Sequence, residues 1–195
     1  MTASVRSFLG KLGFQQRILP AYRAPFFERL GAACQGGLSL FAGRPRPNEA
    51  VLTAQGLNGV RLIGAENLHL FGGSLYVCVQ PGIGAWLDAW DPDALVLEAN
   101  PRYPSNLRAL RWMKERGRPV LGWGLGAAPS SGPLAGLTRR YRRRFFQRFD
   151  GLISYSSLGA EQYAAAGVPR ERVFIAPNAV APPPGPPPER GPLVA

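Results

Sequence analysis

Cysteine and negative charge are both scarce in this sequence. Cys34 and Cys78 are its two thiols, and their spacing fits no disulfide or metal-binding motif. The opening residues, MTASVRSFLG, lack the apolar stretch of a secretory signal peptide. We therefore predict that both cysteines are reduced and buried, and that the protein is cytoplasmic.

Long apolar runs are also missing. Residues 67–87 and 119–138 carry no Asp, Glu, Lys or Arg, but proline and several glycines interrupt each of them. A membrane-spanning helix needs about 20 consecutive, mainly apolar residues. No transmembrane helix is predicted.

The shortage of acidic residues leaves the chain strongly basic. Asp and Glu total 12 against 23 Lys and Arg, which gives a net charge of +11, and all but two of the basic residues are arginine. Such a charge favours anionic partners, among them nucleotide sugars, membrane surfaces and nucleic acids. With 195 residues, 46% of them hydrophobic, the composition indicates one globular domain with room for a tail.

Extended and helical segments alternate in the second half of the chain. Strands are predicted at residues 94–97, 120–123, 152–155 and 173–176, and a helical pattern separates each from the next. This alternation predicts an α/β protein with a doubly wound, mostly parallel, Rossmann-like sheet. Further strands are predicted at 12–16, 38–41 and 75–79, with a helix at 25–33. The proline-rich segment APPPGPPPERGP is predicted to be an extended linker.

Polar, aromatic and glycine residues follow the predicted strands at their carboxyl ends. In an open parallel sheet these ends border one crevice, where ligands bind. The sequence therefore predicts a single site, lined by Tyr22, Arg23, Glu98, Asn100, Arg102, Tyr103, Trp123, Gly124 and Gly126, with Ser156 and Asn178 at its edge or hinge.

The chemistry of these residues suits a sugar or phosphate ligand. Glu98, Asn100 and Arg102 supply hydrogen-bond donors and acceptors, although a simple turn also explains them. Trp123 could stack on a sugar ring, although the structural explanation is slightly favoured for this loop. The glycines after it would let a ligand approach the backbone, or would serve close strand–helix packing. Helix capping and turn formation explain Ser156 and Asn178 better than contact with a ligand does.

An arginine-rich run, RRYRRRFFQR, lies between the strands at 120–123 and 152–155. Helical periodicity predicts an apolar stripe packed on the sheet, formed by Leu134, Leu137, Tyr141, Phe145 and Phe149. Arg139, Arg140 and Arg143 would point away from that stripe. They would form either a solvated surface or a membrane-facing one that meets anionic headgroups.

Four stretches together resemble a known family: QQRILPAYRAPFFERL, LEANPRYPSN, GWGLG and DGLISYSSLGAEQYAAAGVPRERVFIAPNAV. In order and spacing they are similar to the amino-terminal half of a family 4 (group 1) glycosyltransferase of the GT-B fold. The resemblance extends over residues 14–180. One departure concerns proton transfer, because Leu125 stands where such enzymes often have a histidine, and the single histidine, His69, lies elsewhere.

The resemblance implies a division of labour between two Rossmann-like domains. Residues 1–180 would form the acceptor-binding domain, and residues 181–195 the linker and first residues of a donor domain. The nucleotide sugar would bind that second domain without a metal ion or other cofactor. The acceptor would be a glycan or a lipid-linked sugar, and the enzyme would act in polysaccharide biosynthesis as a peripheral protein at the inner membrane face.

Two other functions remain open from the sequence. Gly82 and Gly84 follow a predicted strand, and Glu98 ends the next one, as in a dinucleotide-binding fingerprint, although Leu87 replaces the third glycine. The chain could instead be a non-enzymatic basic module that binds a membrane or nucleic acid. No nucleic-acid-binding motif accompanies the arginines, so no nucleic acid partner is expected.

Overall fold

The computed structural model describes residues 7–127 and 132–177. Its centre is a parallel sheet of seven strands. The strands are β1 (Leu12–Ile18), β2 (Leu38–Gly43), β3 (Arg61–Ala65), β6 (Ala94–Glu98), β7 (Val120–Gly124), β8 (Gly151–Ser154) and β9 (Val173–Ile175). The shorter strands β4 (Leu68–Leu70) and β5 (Val77–Val79) form a separate antiparallel pair.

Helices cover the two faces of the sheet unequally. The helices are α1 (Ala24–Ala32), α2 (Ile83–Trp90), α3 (Ser105–Glu115), α4 (Ala135–Phe146) and α5 (Ser157–Ala165). Core residues from α2 to α5 form one hydrophobic cluster with Leu95, Leu97 and Leu152. The cluster on the opposite face includes Phe27 of α1, so α1 is the helix that contributes a buried core residue there.

The chain order reverses beside β1. It runs from β1 outward to β2 and β3, then returns to β6 on the other side of β1 and continues outward to β9. Crossovers that leave a strand in opposite directions lie on opposite faces and open a crevice at the carboxyl ends of the strands. The predicted doubly wound α/β fold is confirmed.

The first half of the chain was harder to predict. The strand at 38–41 and the helix at 25–33 are present with small shifts. The strand at 75–79 is shorter and lies in the antiparallel pair outside the main sheet. Strand β3 was missed because its sequence, RLIGA, lacks the apolar continuity of a buried strand, as suits its position at the edge.

Only part of the predicted apolar stripe around helix α4 is buried. Phe145 and Phe149 are buried, with Phe146 between them. However, Leu134, Leu137 and Tyr141 are 69%, 67% and 47% exposed, so the first half of the helix does not pack on the sheet. Arg139, Arg140 and Arg143 are exposed, as expected.

Candidate functional site

A cavity of about 750 Å³ lies at the carboxyl ends of the central strands, and we call it the strand-end cavity. Glu98 ends β6, Gly124 ends β7, and Tyr155 follows β8 directly. Every residue predicted as acceptor-binding lines this cavity: Tyr22, Arg23, Glu98, Asn100, Arg102, Tyr103, Trp123, Gly124 and Gly126. Other lining residues, which were not predicted to bind the acceptor, are Ala99, Pro101, Leu125, Ala127, Arg142, Phe146 and Tyr155.

Glu98 is fixed by the neighbouring strand β1. Its Oε2 accepts a hydrogen bond from the backbone amide of Arg17 (3.0 Å), and its own amide donates to Oε1 of Gln15 (3.1 Å). Burial raises the pKa of the Glu98 carboxyl to about 7, although the Arg17 amide and the charges of Arg17 and Arg23 act in the opposite direction. This carboxyl group therefore exchanges its proton near neutral pH, which suits a proton acceptor.

The raised pKa makes stability depend on pH. Between the ordinary pKa of a glutamate, 4.5, and the folded value of about 7, the unfolded chain has lost a proton that the folded protein retains. Rising pH therefore favours unfolding over this range. Relative to wild type, we expect the unfolding free energy of Glu98→Gln to rise by roughly 2 to 3 kcal/mol between pH 5 and pH 8. Denaturant melts of both proteins at the two pH values measure this gain, and parallel pH profiles would contradict it.

Arg23 lies at the centre of a polar and aromatic cluster. Its Nη1 donates to Oε1 of Gln16 (2.7 Å), and its Nη2 donates to the hydroxyl of Tyr155 (3.3 Å). The guanidinium carbon is 5.2 Å from the centre of the Trp123 ring and 5.6 Å from that of Tyr155. Within the described part of the chain, Nε of Arg23, Nε1 of Trp123 and Nε2 of Gln16 are buried without a hydrogen-bond partner. All three are donors, so the cluster lacks acceptor oxygens.

The expected stacking of Trp123 on a sugar ring is corrected by its burial. Trp123 is only 7% exposed. Phe14, Phe26 and Tyr155 surround it, with ring centroids 5.0, 5.4 and 5.2 Å away. Little of its ring is left for a ligand. The exposed aromatic ring at this cavity belongs to Tyr22, which is 48% exposed.

The two glycines after Trp123 have a packing role. A Cβ atom on Gly124 would lie 2.7 Å from the hydroxyl of Tyr163, and one on Gly126 would lie 2.7 Å from Cα of Gly159. Gly126 also has a φ of +117°, which side chains rarely allow. Close approach of this loop to α5 therefore accounts for both residues.

Turn and cap geometry explains two of the remaining predicted residues. The side chain of Asn100 accepts a hydrogen bond from the amide of Arg102 (3.0 Å), which forms an Asx turn. Ser156 caps α5, because its hydroxyl accepts from the amide of Gly159 (3.1 Å). Asn178 lies outside the described residues.

The dinucleotide-binding alternative does not fit this fold. A fingerprint of that kind joins a strand of the parallel sheet to the helix that follows it. Gly82 and Gly84 instead follow β5, which pairs with β4 outside that sheet. A Cβ atom on Gly84 would meet the guanidinium of Arg108 at 2.6 Å, so packing of α2 on α3 accounts for this glycine.

Residues 7–127 and 132–177 contain neither a membrane-spanning helix nor a cluster of metal-binding side chains. No helix in these ranges is long and apolar enough to cross a membrane. They also contain no group of three or more His, Cys, Asp and Glu side chains placed to hold a metal ion. Cys34 and Cys78 are buried and unpaired, and burial raises the pKa of both thiols.

Comparison with known proteins gives one family and a shared fold. A model of the glycosyl transferase 4-like domain matches residues 16–179. Anabaena Alr3699/HepE, solved in complex with UDP and glucose, is 14% identical, with a TM-score of 0.54 over 87% of this chain and 44% of that one. The lipopolysaccharide outer core galactosyltransferase WaaB, in its apo form, is 14% identical, with a TM-score of 0.52 over 92% and 50%. No curated protein sequence matches the chain.

Length is the main difference from these solved structures. The chain spans about half of each of them. At such low identity the likeness concerns the fold, and the match to the family model carries the assignment.

Proposed function

This chain belongs to the glycosyl transferase 4-like domain family, and we propose that it forms the acceptor-binding half of a glycosyltransferase. The enzyme would move a sugar from a nucleotide sugar to a glycan or a lipid-linked acceptor. The observation that carries the proposal is the strand-end cavity, which brings Arg23, just before α1, together with Glu98 and Arg102 from the end of β6 and the turn after it. A carboxylate and two guanidinium groups suit hydroxyl and phosphate groups of an acceptor.

Glu98 is the residue proposed to take a proton from the acceptor. In the transfer step a bond forms between the acceptor oxygen and the anomeric carbon, while the bond from that carbon to the nucleotide phosphate breaks. The hydroxyl proton passes to the Glu98 carboxylate. Its pKa of about 7 matches this task at neutral pH, and the role offsets the absence of a histidine at position 125.

The remaining side chains of the cavity would hold the acceptor in place. Arg23 is itself held by Gln16 and Tyr155, so it presents a charge at a fixed position. Such fixed groups accelerate transfer by keeping the attacking hydroxyl in line with the donor. We propose that residues 181–195 lead to the second, donor-binding domain, and that transfer needs no metal ion.

The first test of this proposal is the activity of the chain by itself. Purified residues 1–195 should transfer no sugar from any nucleotide sugar, because the donor would bind the half that this chain does not contain. The same residues joined to a donor domain should be active. A radiolabelled-sugar transfer assay measures both, and turnover by residues 1–195 alone would contradict the division of labour.

Helix α4 supports a further part of the proposal, attachment to an anionic membrane surface. Leu134, directly before the helix, and Leu137 in its first turn are exposed, and so are Arg139, Arg140 and Arg143. An interfacial helix uses this combination, with apolar groups entering the headgroup region and cations meeting lipid phosphates. The hydroxyl of Tyr141 in α4 donates to the backbone oxygen of Pro101 (3.0 Å), so the helix lies beside the strand-end cavity. A peripheral enzyme held this way would act at the inner face of a membrane.

Charge reversal tests this surface. Replacing Arg139, Arg140 and Arg143 by Glu should weaken binding to anionic vesicles by about 100-fold, since each cation near the surface contributes about 1 kcal/mol. High salt should weaken wild-type binding in the same way. Vesicle sedimentation measures the effect.

A matched control reverses the exposed Arg29, Arg170 and Arg172, which changes the net charge equally. The membrane proposal fails if both triple variants lose the same affinity, because total charge would then explain the binding. Replacing Leu134 and Leu137 by Ser should also weaken sedimentation while leaving the melting temperature unchanged, because both side chains are exposed.

A further inference from the structure

A second cavity, the apolar groove, lies on the sheet face that α2 to α5 leave uncovered. It has a volume of about 530 Å³, and its lining includes Phe14, Phe26, Val96, Leu121 and Ile153. Arg23 is the one charged residue among the described residues that line it. An apolar surface of this size, open to solvent, indicates a binding partner.

The groove and the strand-end cavity are continuous. Tyr22, Arg23 and Trp123 line both of them. The groove extends from this junction toward the start of β7 at Pro119. Trp123 comes four positions after Pro119, so the groove is about 13 Å long at a rise of about 3.3 Å per residue.

Strand register explains why an apolar and a polar surface meet here. Phe14 pairs with Val96, and Val96 pairs with Leu121, which gives an apolar row across β1, β6 and β7. Two residues further along, on the same face, Glu98 pairs with Trp123. The surface therefore changes from apolar to polar within two residues, in the direction of the strand-end cavity.

At the junction, Arg23 and Trp123 have donors without acceptors, and Arg23 forms no ion pair in the described residues. Nε of Arg23 and Nε1 of Trp123 are buried donors without partners in the described residues. In the described residues the Arg23 guanidinium donates its hydrogen bonds to Gln16 and Tyr155, which are neutral. A phosphate would supply both the negative charge and the acceptor oxygens.

We propose that the acceptor is an amphiphile, a sugar attached through phosphate to a long apolar chain, with the chain in the apolar groove and the phosphate against Arg23. The sugar then occupies the strand-end cavity. This inference rests on the proposed function and narrows its acceptor class. The groove would act as a specificity site, because a phosphate-free soluble glycan leaves it empty.

Binding of simple amphiphiles to the full chain tests the proposal. Calorimetric titration with decyl phosphate, decanol and inorganic phosphate separates the contributions of the alkyl chain and of the phosphate charge to the affinity. Decyl phosphate should bind at least about tenfold more tightly than either of the others. Equal affinity for decyl phosphate and inorganic phosphate would show that the groove does not bind an alkyl chain, and would overturn the proposal.

Two substitutions locate the ligand. Arg23→Gln should weaken decyl phosphate about tenfold and leave decanol unchanged, and Arg23→Lys should restore part of the loss. Phe26→Asp should weaken both ligands, and because Phe26 is 44% exposed the fold should tolerate the change. Phe71→Asp is the matched control, since Phe71 is 75% exposed and does not line the groove.

Other occupants of the groove predict different results. If a second copy of the chain covers it, sedimentation will show a dimer that Phe26→Asp dissociates, and decyl phosphate will not bind; that result overturns the proposal. If the ligand is instead a bilayer phospholipid held through α4, replacing Arg139, Arg140 and Arg143 by Glu should also weaken the binding of decyl phosphate. That result would overturn the proposal as well. If the complete enzyme transfers sugar to a phosphate-free glycan and the chain does not bind decyl phosphate, this inference is wrong but the proposed function stands. Binding without transfer to any acceptor would refute the proposed function.

Discussion

Replacing Glu98 by Gln should reduce sugar transfer by the complete enzyme by at least about 100-fold, the usual contribution of a general base. Gln keeps the size of the side chain and can still accept the hydrogen bond from the Arg17 amide, so the local structure should persist. The wild-type rate should rise with pH through about 7 as the Glu98 carboxyl loses its proton, and this rise should be absent in the variant. A pH–rate profile of kcat/KM measures both effects.

Glu115→Gln provides the control for this experiment. Glu115 is exposed at the end of α3, outside the strand-end cavity, and its substitution should leave the profile unchanged. A wild-type rate for Glu98→Gln would show that another group takes the proton. Loss of activity together with a collapse of the melting temperature would assign Glu98 a structural role.

Gly126→Ala should have the largest effect on the shape of the site. The new methyl group would lie 2.7 Å from Cα of Gly159, and the φ of +117° strains any side chain. We expect a loss of about 2 to 4 kcal/mol in unfolding free energy, from backbone strain and overpacking together. The loop after β7 would have to move away from α5, so the KM for the acceptor should rise as well.

Gly64→Ala is the matched control for Gly126→Ala. Gly64 lies in the edge strand β3, where an added Cβ meets no atom within 4 Å and the φ is not positive. Chemical denaturation of both variants separates a general effect of glycine replacement from the effect of this contact. If the two variants lose equal stability, the close approach of the loop to α5 has no energetic role.

The sequence could predict the cavity because the carboxyl ends of parallel strands meet at one edge of a sheet. Glu98 and Gly124 each end a strand with a clear apolar pattern, so locating the strands also located these residues. Tyr155 follows from the same rule, since it comes directly after the apolar run of β8. It was overlooked because the serine after it offered a stronger signal as a helix cap.

Periodicity was less reliable where burial depends on distant parts of the chain. Leu134 and Leu137 fit an apolar stripe, yet no element covers them in the described structure, and a helix pattern cannot show where its partner ends. Trp123, in contrast, was predicted to be accessible to a ligand and is buried. Phe14 and Phe26, from the first part of the chain, enclose its ring. The apolar groove depends on the register of β1, β6 and β7, which no local pattern specifies.

The central claim is that this chain binds the acceptor and leaves the donor to another domain. Arg102→Ala tests it directly, because Arg102 lines the strand-end cavity and is exposed, so its loss should not disturb folding. The measurement is a two-substrate kinetic analysis of the complete enzyme, with Arg170→Ala as an exposed control outside the cavity. We predict a higher KM for the acceptor and an unchanged KM for the nucleotide sugar. An increase confined to the KM of the nucleotide sugar would contradict the account.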